Sequence, residues 1–174
     1  MIIAVEDFRK MVETDIADEV LKLKLSGIET AIRKYTNNHF TVRDTLQQCE
    51  VRKDGIYYLD TSFFMAGDTI EIVSPFYEGC LFTVKDVETD HITVEENLRW
   101  IGVFDIINIH YPDDVVNGAV NLLKWDISNR EKVGVKSETI SRWSVTYFDM
   151  DSNSLLGYPS SLVKFLDPYK KVRF

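Results

Sequence analysis

Residues 134–174 read GVKSETISRWSVTYFDMDSNSLLGYPSSLVKFLDPYKKVRF. Gly134 follows the cationic Arg130 and Lys132, the composition of a helix C-terminus. Beyond it Trp143, Val145 and Tyr147 alternate with Arg142, Ser144 and Thr146, a period of two that predicts a strand with one buried face. A polar loop, Asp149 to Gly157, comes next. Pro159 and Ser160 then open a short helix carrying Leu162, Val163 and Leu166, which Pro168 closes. Tyr169 to Phe174 are mostly cationic and aromatic, and nothing obvious remains in the sequence to cover them. The expectation is an extended tail that another chain orders.

Working outward, Met1 to Glu13 predicts a short amphipathic helix with Val5, Phe8 and Val12 on one face. Asp15 offers an N-cap for a longer helix reaching Asn37. Leu21, Leu25, Ile28, Ile32 and Tyr35 form its core stripe, and Gly27 interrupts it as if for close packing. From Thr41 to Tyr111 the pattern changes to short strands: Cys49–Val51, Gly55–Leu59, Thr69–Val73, Leu81–Val87, His91–Val94 and Phe104–His110, separated by Gly- and Asp-containing turns. This spacing predicts a small barrel, and the run from Gly67 to Ile72 resembles the entry of a Src-homology-3-like one. Pro112, Asp113 and Asp114 start a further helix with a stripe of Val116, Ala119, Val120, Leu123 and Ile127, which should pack on the Leu21–Tyr35 helix. The expected fold is α+β: a small helical bundle with an inserted small β-barrel, then a C-terminal strand, short helix and extended tail. Residues 1–40 and 111–174 would form the helical body and residues 41–110 the β-rich insert.

Several of these pieces occur together in a known family. A helix stop, a K-S-E…S-V-T-Y strand and a Y-P…L…L-x-P-Y-(K/R)-(K/R) terminus are carried here by Gly134, Lys136, Ser137, Glu138 and Ser144 to Tyr147, then by Tyr158, Pro159, Leu162, Leu166, Pro168, Tyr169, Lys170 and Lys171. Tyr35, Thr36 and Phe40 fit the end of the family's second helix. In this the chain resembles the head–tail connector (adaptor) proteins of tailed bacteriophages. The resemblance implies a bundle of connector type and a structural virion protein in the neck, made in the bacterial host cytoplasm, with no catalysis, cofactor or metal. It implies a homo-oligomeric ring of about twelve subunits beneath the portal protein, next to a head-completion (stopper) or tail protein, with DNA passing through the channel. The portal-binding arm would be Pro168, Tyr169, Lys170, Lys171, Val172, Arg173 and Phe174, its aromatic and aliphatic residues in pockets and its cations on acidic rims, docked by strand addition. The simplest connectors place only a short connection where residues 41–110 stand here.

Composition narrows the alternatives. The net charge of the 174 residues is −8. Ser160 to Phe174 carries +3 of it, so the remainder carries −11. An acidic body with a cationic end suits an acidic partner and lacks the basic footprint of a nucleic-acid binder. Two cysteines, Cys49 and Cys80, make no disulfide framework. The N-terminus has no cationic leader before a long apolar run, and no stretch is apolar enough to span a bilayer, so a soluble protein is expected.

No motif for chemistry emerges. His39, His91 and His110 have no metal-ligand spacing. Asp149-x-Asp151-x-Asn153 begins like a calcium loop, but Ser154 stands where glycine is required and Ser160 where the bidentate glutamate belongs. Phe63-Phe64-Met65 is a run of three apolar residues that a strand cannot bury entirely. It is a candidate subunit contact. The rival to the connector reading is a monomeric or dimeric β-module that binds a peptide or nucleic acid, or another neck protein.

Overall fold

A computed structural model describes residues 1–73, 80–99, 101–129 and 154–172, together with the backbone of 137–140 and 143–146. It divides into two compact units. One comprises Met1–Ala4 and His39–Tyr111, the other Val5–Asn38 and Pro112–Phe174.

The first unit is a closed barrel of six antiparallel strands: β1 (Gln47–Arg52), β2 (Gly55–Tyr57), β3 (Thr69–Val73), β4 (Leu81–Val87), β5 (His91–Val94) and β6 (Gly102–Ile109). The order around the barrel is β1-β2-β5-β4-β3-β6. β1 and β6 close it, with Cys49 opposite Phe104 and Gln47 opposite Ile106. Alternation along each strand sends Cys49, Val51, Ile56, Ile70, Ile72, Phe82, Val84, Ile92 and Ile106 into one shared core. β-branched side chains dominate it, as strand geometry favours. Closure leaves no unpaired edge for another chain to extend. β4 steps its register between Val84 and Asp86, a bulge that bends it against β5.

The second unit holds α1 (Val5–Met11), α2 (Asp18–Thr36), α3 (Asp113–Asn129) and the single turn α4 (Ser160–Val163). Leu21, Leu25, Ile28 and Ile32 of α2 are buried, and α2 packs on α3. α2 begins after Ala17, whose side chain makes no cap bond, so Asp15 is not its N-cap. Arg9 of α1 fixes this junction instead, donating to Asp18 at 2.8 Å, to the Thr14 carbonyl at 2.7 Å and to the Ile16 carbonyl. Acidic residues open α3, where they complement the helix dipole. β9 (Ser154–Leu155) and β10 (Tyr158–Pro159) form a minimal hairpin whose two turn residues, Leu156 and Gly157, have φ of 56° and 77°. β7 (Ser137–Ile140) pairs with β8 (Trp143–Thr146), with Ile140 opposite Trp143 and Glu138 opposite Val145.

The expectation of a small connector-type helical bundle carrying a barrel as an outgrowth is overturned. The described helices have 7, 19, 17 and 4 residues, and the six strands close on a hydrophobic core of their own. The physical reason lies in residues 41–110, whose inward positions supply enough β-branched and aromatic volume to complete a barrel without help from helices. The expected Src-homology-3-like module gives way to this six-stranded closure. The C-terminal strand is one half of the β7–β8 hairpin. Pro168 does not end a helix but lies inside a 3-10 segment, Lys164–Tyr169, that replaces the first part of the expected extended tail.

Candidate functional site

The C-terminal arm is built on the second unit by two supports. The first is one face of α3. Asp114, Gly118 and Trp125 recur there at i, i+4 and i+11, which brings them to one side of the helix. Trp125 meets the ring of Tyr158 edge-on at 5.5 Å between centroids. The Phe165 ring rests directly on Gly118, in space that a side-chain carbon would fill. The Tyr169 hydroxyl donates to Asp114 Oδ1 at 2.7 Å. Val163 and Leu166 are fully buried between these points.

The second support is the C-terminus of α2. Its last carbonyls have no partners within the helix. The Thr36 carbonyl accepts from the Lys171 backbone N–H at 2.7 Å. Asn37 is the left-handed C-cap, at φ 49°, and its side-chain amide donates to the Val172 carbonyl at 3.2 Å. Asn38 does the same to the Tyr169 carbonyl at 3.2 Å. The Lys170 ammonium lies 4.3 Å from the centroid of the Tyr35 ring and 2.8 Å from Asp167. Its positive charge at this end of α2 also favours the helix dipole.

The expectation that the chain end has no home in its own subunit is therefore corrected as far as Val172. What the arm offers outward is Pro168, Lys170, Lys171 and Val172, all exposed, with Val172 at 74%. Tyr169 is half-buried and committed to Asp114. Arg173 and Phe174 lie outside the described residues.

The arm carries its own pH dependence. The hydrogen bond to Asp114 raises the Tyr169 hydroxyl above its ordinary value of 10.0. The bond to Asp167, then the one to Tyr35, raises Lys170 above 10.5. Both groups titrate higher when folded than when free. The stabilisation they give is thus complete below pH 10 and is lost as pH rises through the folded values. Limited proteolysis of the C-terminus should accelerate above pH 10 in the wild type. Tyr169→Phe, which has no proton to lose, should be cut faster at neutral pH and show less acceleration.

In the barrel unit the candidate contact residues separate. Phe64 is buried in the barrel core, so it is not available as a subunit contact, whereas Phe63 is 45% and Met65 71% exposed. The loop is pinned by Asp68, whose Oδ2 accepts from the Met65 N–H at 2.8 Å and from Asn108 Nδ2 at 3.2 Å. On the barrel's outer surface Val103, Glu50, Tyr57 and His91 stand opposite one another across four neighbouring strands. His91 stacks on Tyr57 at 4.5 Å, Arg52 lies 4.6 Å over the same ring, and Arg52 is held by Glu50 through two 3.0 Å bonds.

His39 Nδ1 lies 3.2 Å from the buried Glu71, His91 Nδ1 lies 2.9 Å from Asp90, and His110 is exposed. Among the described residues no group of three His, Cys, Asp or Glu could hold a metal ion. The Asp149–Asn153 loop lies outside the described residues. Burial pushes the Cys49 thiol up to about 12, which keeps it a neutral, unreactive core group. No described helix is long and apolar enough to cross a membrane.

Sequence reasoning found the arm but not its seat. Gly118, Asp114, Trp125, Asn37 and Asn38 hold it. The signal available was a glycine and an acid one turn apart on α3, and a paired Asn at the end of α2. Comparison with protein-family models and with curated proteins finds no match to the chain.

Proposed function

We propose that this chain is a non-enzymatic assembly protein of a tailed-phage neck, a head–tail adaptor that binds the portal protein through its C-terminal end. It would form a ring of about twelve subunits with a closing, heterologous interface, adjoin a stopper or tail protein, and leave a channel for DNA. The sequence pieces quoted above, in their order and spacing, support the reading. The observation that carries it is the arm's construction. Its stem is fixed on α3 and α2, Lys170 is held on Asp167 and the Tyr35 ring, and bonds from the end of α2 to the backbone of Lys171 and Val172 leave the side chains of those two residues outward. Such pre-organisation lowers the ordering cost of docking, and cations beside an aliphatic residue suit an acidic rim around an apolar pocket.

The test follows from where the arm is anchored. Deleting residues 172–174 removes only the Asn37–Val172 bond among the described contacts. Thermal unfolding should stay within about 2 °C of wild type, while capture of the portal ring in a pull-down is lost. Deleting residues 167–174 should instead destabilise the second unit, since Tyr169, Lys170 and Lys171 go with it. Undiminished portal capture by the shorter deletion would refute the assignment.

Phe63 and Met65 remain candidates for contact with a neighbouring subunit. The rival, a barrel that reads single-stranded nucleic acid by stacking, is disfavoured because Arg52 and His91 already lie against Tyr57, an aromatic residue of the outer face.

A further inference from the structure

α2 carries a second apolar line besides its buried stripe. Val20, Leu23, Gly27 and Ala31 follow at i, i+3, i+7 and i+11 on a face that flanks the core stripe, with Val20 44% and Leu23 74% exposed. A methyl added at Gly27 would meet nothing within 4 Å, so this glycine does not serve packing inside the subunit. It lines an open groove of about 390 Å³ bounded by Lys24, Ile28, Ala31, Asp126, Leu156 and Tyr158. The groove's charged pair is internally satisfied: Lys24 Nζ donates to Asp126 Oδ2 at 2.6 Å. Covering it would strand no charge. Leu156 stands at its rim with φ 56°, a conformation that costs a non-glycine residue energy.

We propose that this face of α2 is a self-complementary surface on which a second copy of the chain docks antiparallel, with Leu23 of each copy seated in the groove over Gly27 and Ala31 of the other. The occupant follows from the helix's own sequence. In an antiparallel pair, the register that sets Leu23 midway between Gly27 and Ala31 also sets Glu19 one residue from Lys34. Glu19 in the first turn of one copy then faces Lys34 in the last turn of the other. The same knob, hole and charge pair recur by the two-fold axis, which makes the contact isologous. Such a contact closes on itself and cannot propagate round a ring, so it stands apart from the adaptor reading. It describes a dimer formed before or instead of assembly. A single helix of 19 residues spans only about 28 Å, which puts the dimer in the weak, reversible class.

Sedimentation equilibrium of the full chain, at micromolar to millimolar concentration, tests this. The wild type should show a reversible monomer–dimer equilibrium. Leu23→Glu and Gly27→Leu should each be monomeric throughout and folded, with thermal unfolding unchanged in the first and raised in the second, where an exposed helical glycine is replaced by a better helix former. Glu19→Lys should weaken dimerisation about tenfold, and adding Lys34→Glu to it should restore the affinity. A wild type monomeric over the whole range, an oligomer that survives Leu23→Glu and Gly27→Leu, or a charge swap without rescue would each overturn the proposal.

Discussion

Phe64→Ala lowers the stability of the barrel unit by about 3–5 kcal/mol, whereas Phe63→Ser and Met65→Ser each change it by less than about 0.5 kcal/mol. The three residues are consecutive and equally apolar, so composition does not separate them; the loop does. Asp60 caps a 3-10 turn, Thr61–Phe63, by accepting from the Ser62 N–H at 3.1 Å. That turn ends at Phe64, which has extended backbone. Asp68 then accepts from the Met65 N–H, and Asn108 Nδ2 donates both to the Phe63 carbonyl at 3.3 Å and to Asp68. Fixed at both ends, the loop sends Phe64 inward against the β-branched core and its neighbours outward. Removing the ring leaves a cavity that strands tied to one another in a closed barrel cannot collapse to fill. Hydrogen exchange of the β1 and β6 amides in increasing denaturant measures the effect on this unit alone. Equal losses for all three substitutions would show that the loop does not discriminate among them.

The ease of reading the chain varied with how local the deciding interaction was. The buried set Leu21, Leu25, Ile28 and Ile32 of α2 is the stripe that helical period predicts. The strand positions were legible for the same reason, since Cys49/Val51 and Ile70/Ile72 alternate with polar neighbours. The α3 stripe was read in part: Ala119, Val120 and Leu123 are buried as expected, but Val116 and Ile127 are only half-buried, and Val115 and Leu122, left out of the stripe, are fully buried. Val115, Val116, Ala119, Val120, Leu122 and Leu123 spread apolar character over so wide an arc that periodicity leaves the facing direction undetermined. Closure of the barrel depends on β1 meeting β6 across some fifty residues of chain, and no local pattern encodes that register. The seat of the arm was least visible. It rests on a carbonyl at Thr36, a missing side chain at Gly118 and hydrogen bonds to backbone atoms, none of which a pattern of apolar and charged residues records. The cations of the arm suggested a distant partner because the groups the arm meets at the end of α2, the Thr36 carbonyl and the Tyr35 ring, carry no formal charge.

Gly118→Ala is expected to destabilise the second unit by about 1–3 kcal/mol. At an exposed helical glycine the same change would stabilise by about 1 kcal/mol through helix propensity. The reversal comes from Phe165, whose ring occupies the volume the methyl would need. α3 cannot back away, because Val115, Ala119, Leu122 and Leu123 pin it. The ring must therefore leave, and with it the packing that lies between the Trp125–Tyr158 contact and the Tyr169–Asp114 bond. Phe165→Leu, which lacks the ring atoms that meet Gly118, should lose part of the wild-type packing but accept the methyl. Combined with Gly118→Ala it should cost less than the sum of the two changes by at least about 0.5 kcal/mol. Chemical denaturation of the four proteins closes this cycle, and C-terminal proteolysis reads the arm directly: faster cutting in Gly118→Ala, partly reversed in the double variant. A stabilised Gly118→Ala, or strictly additive effects, would mean that Phe165 is not what fixes the arm to α3. The presentation of Lys171 and Val172 would then need another cause.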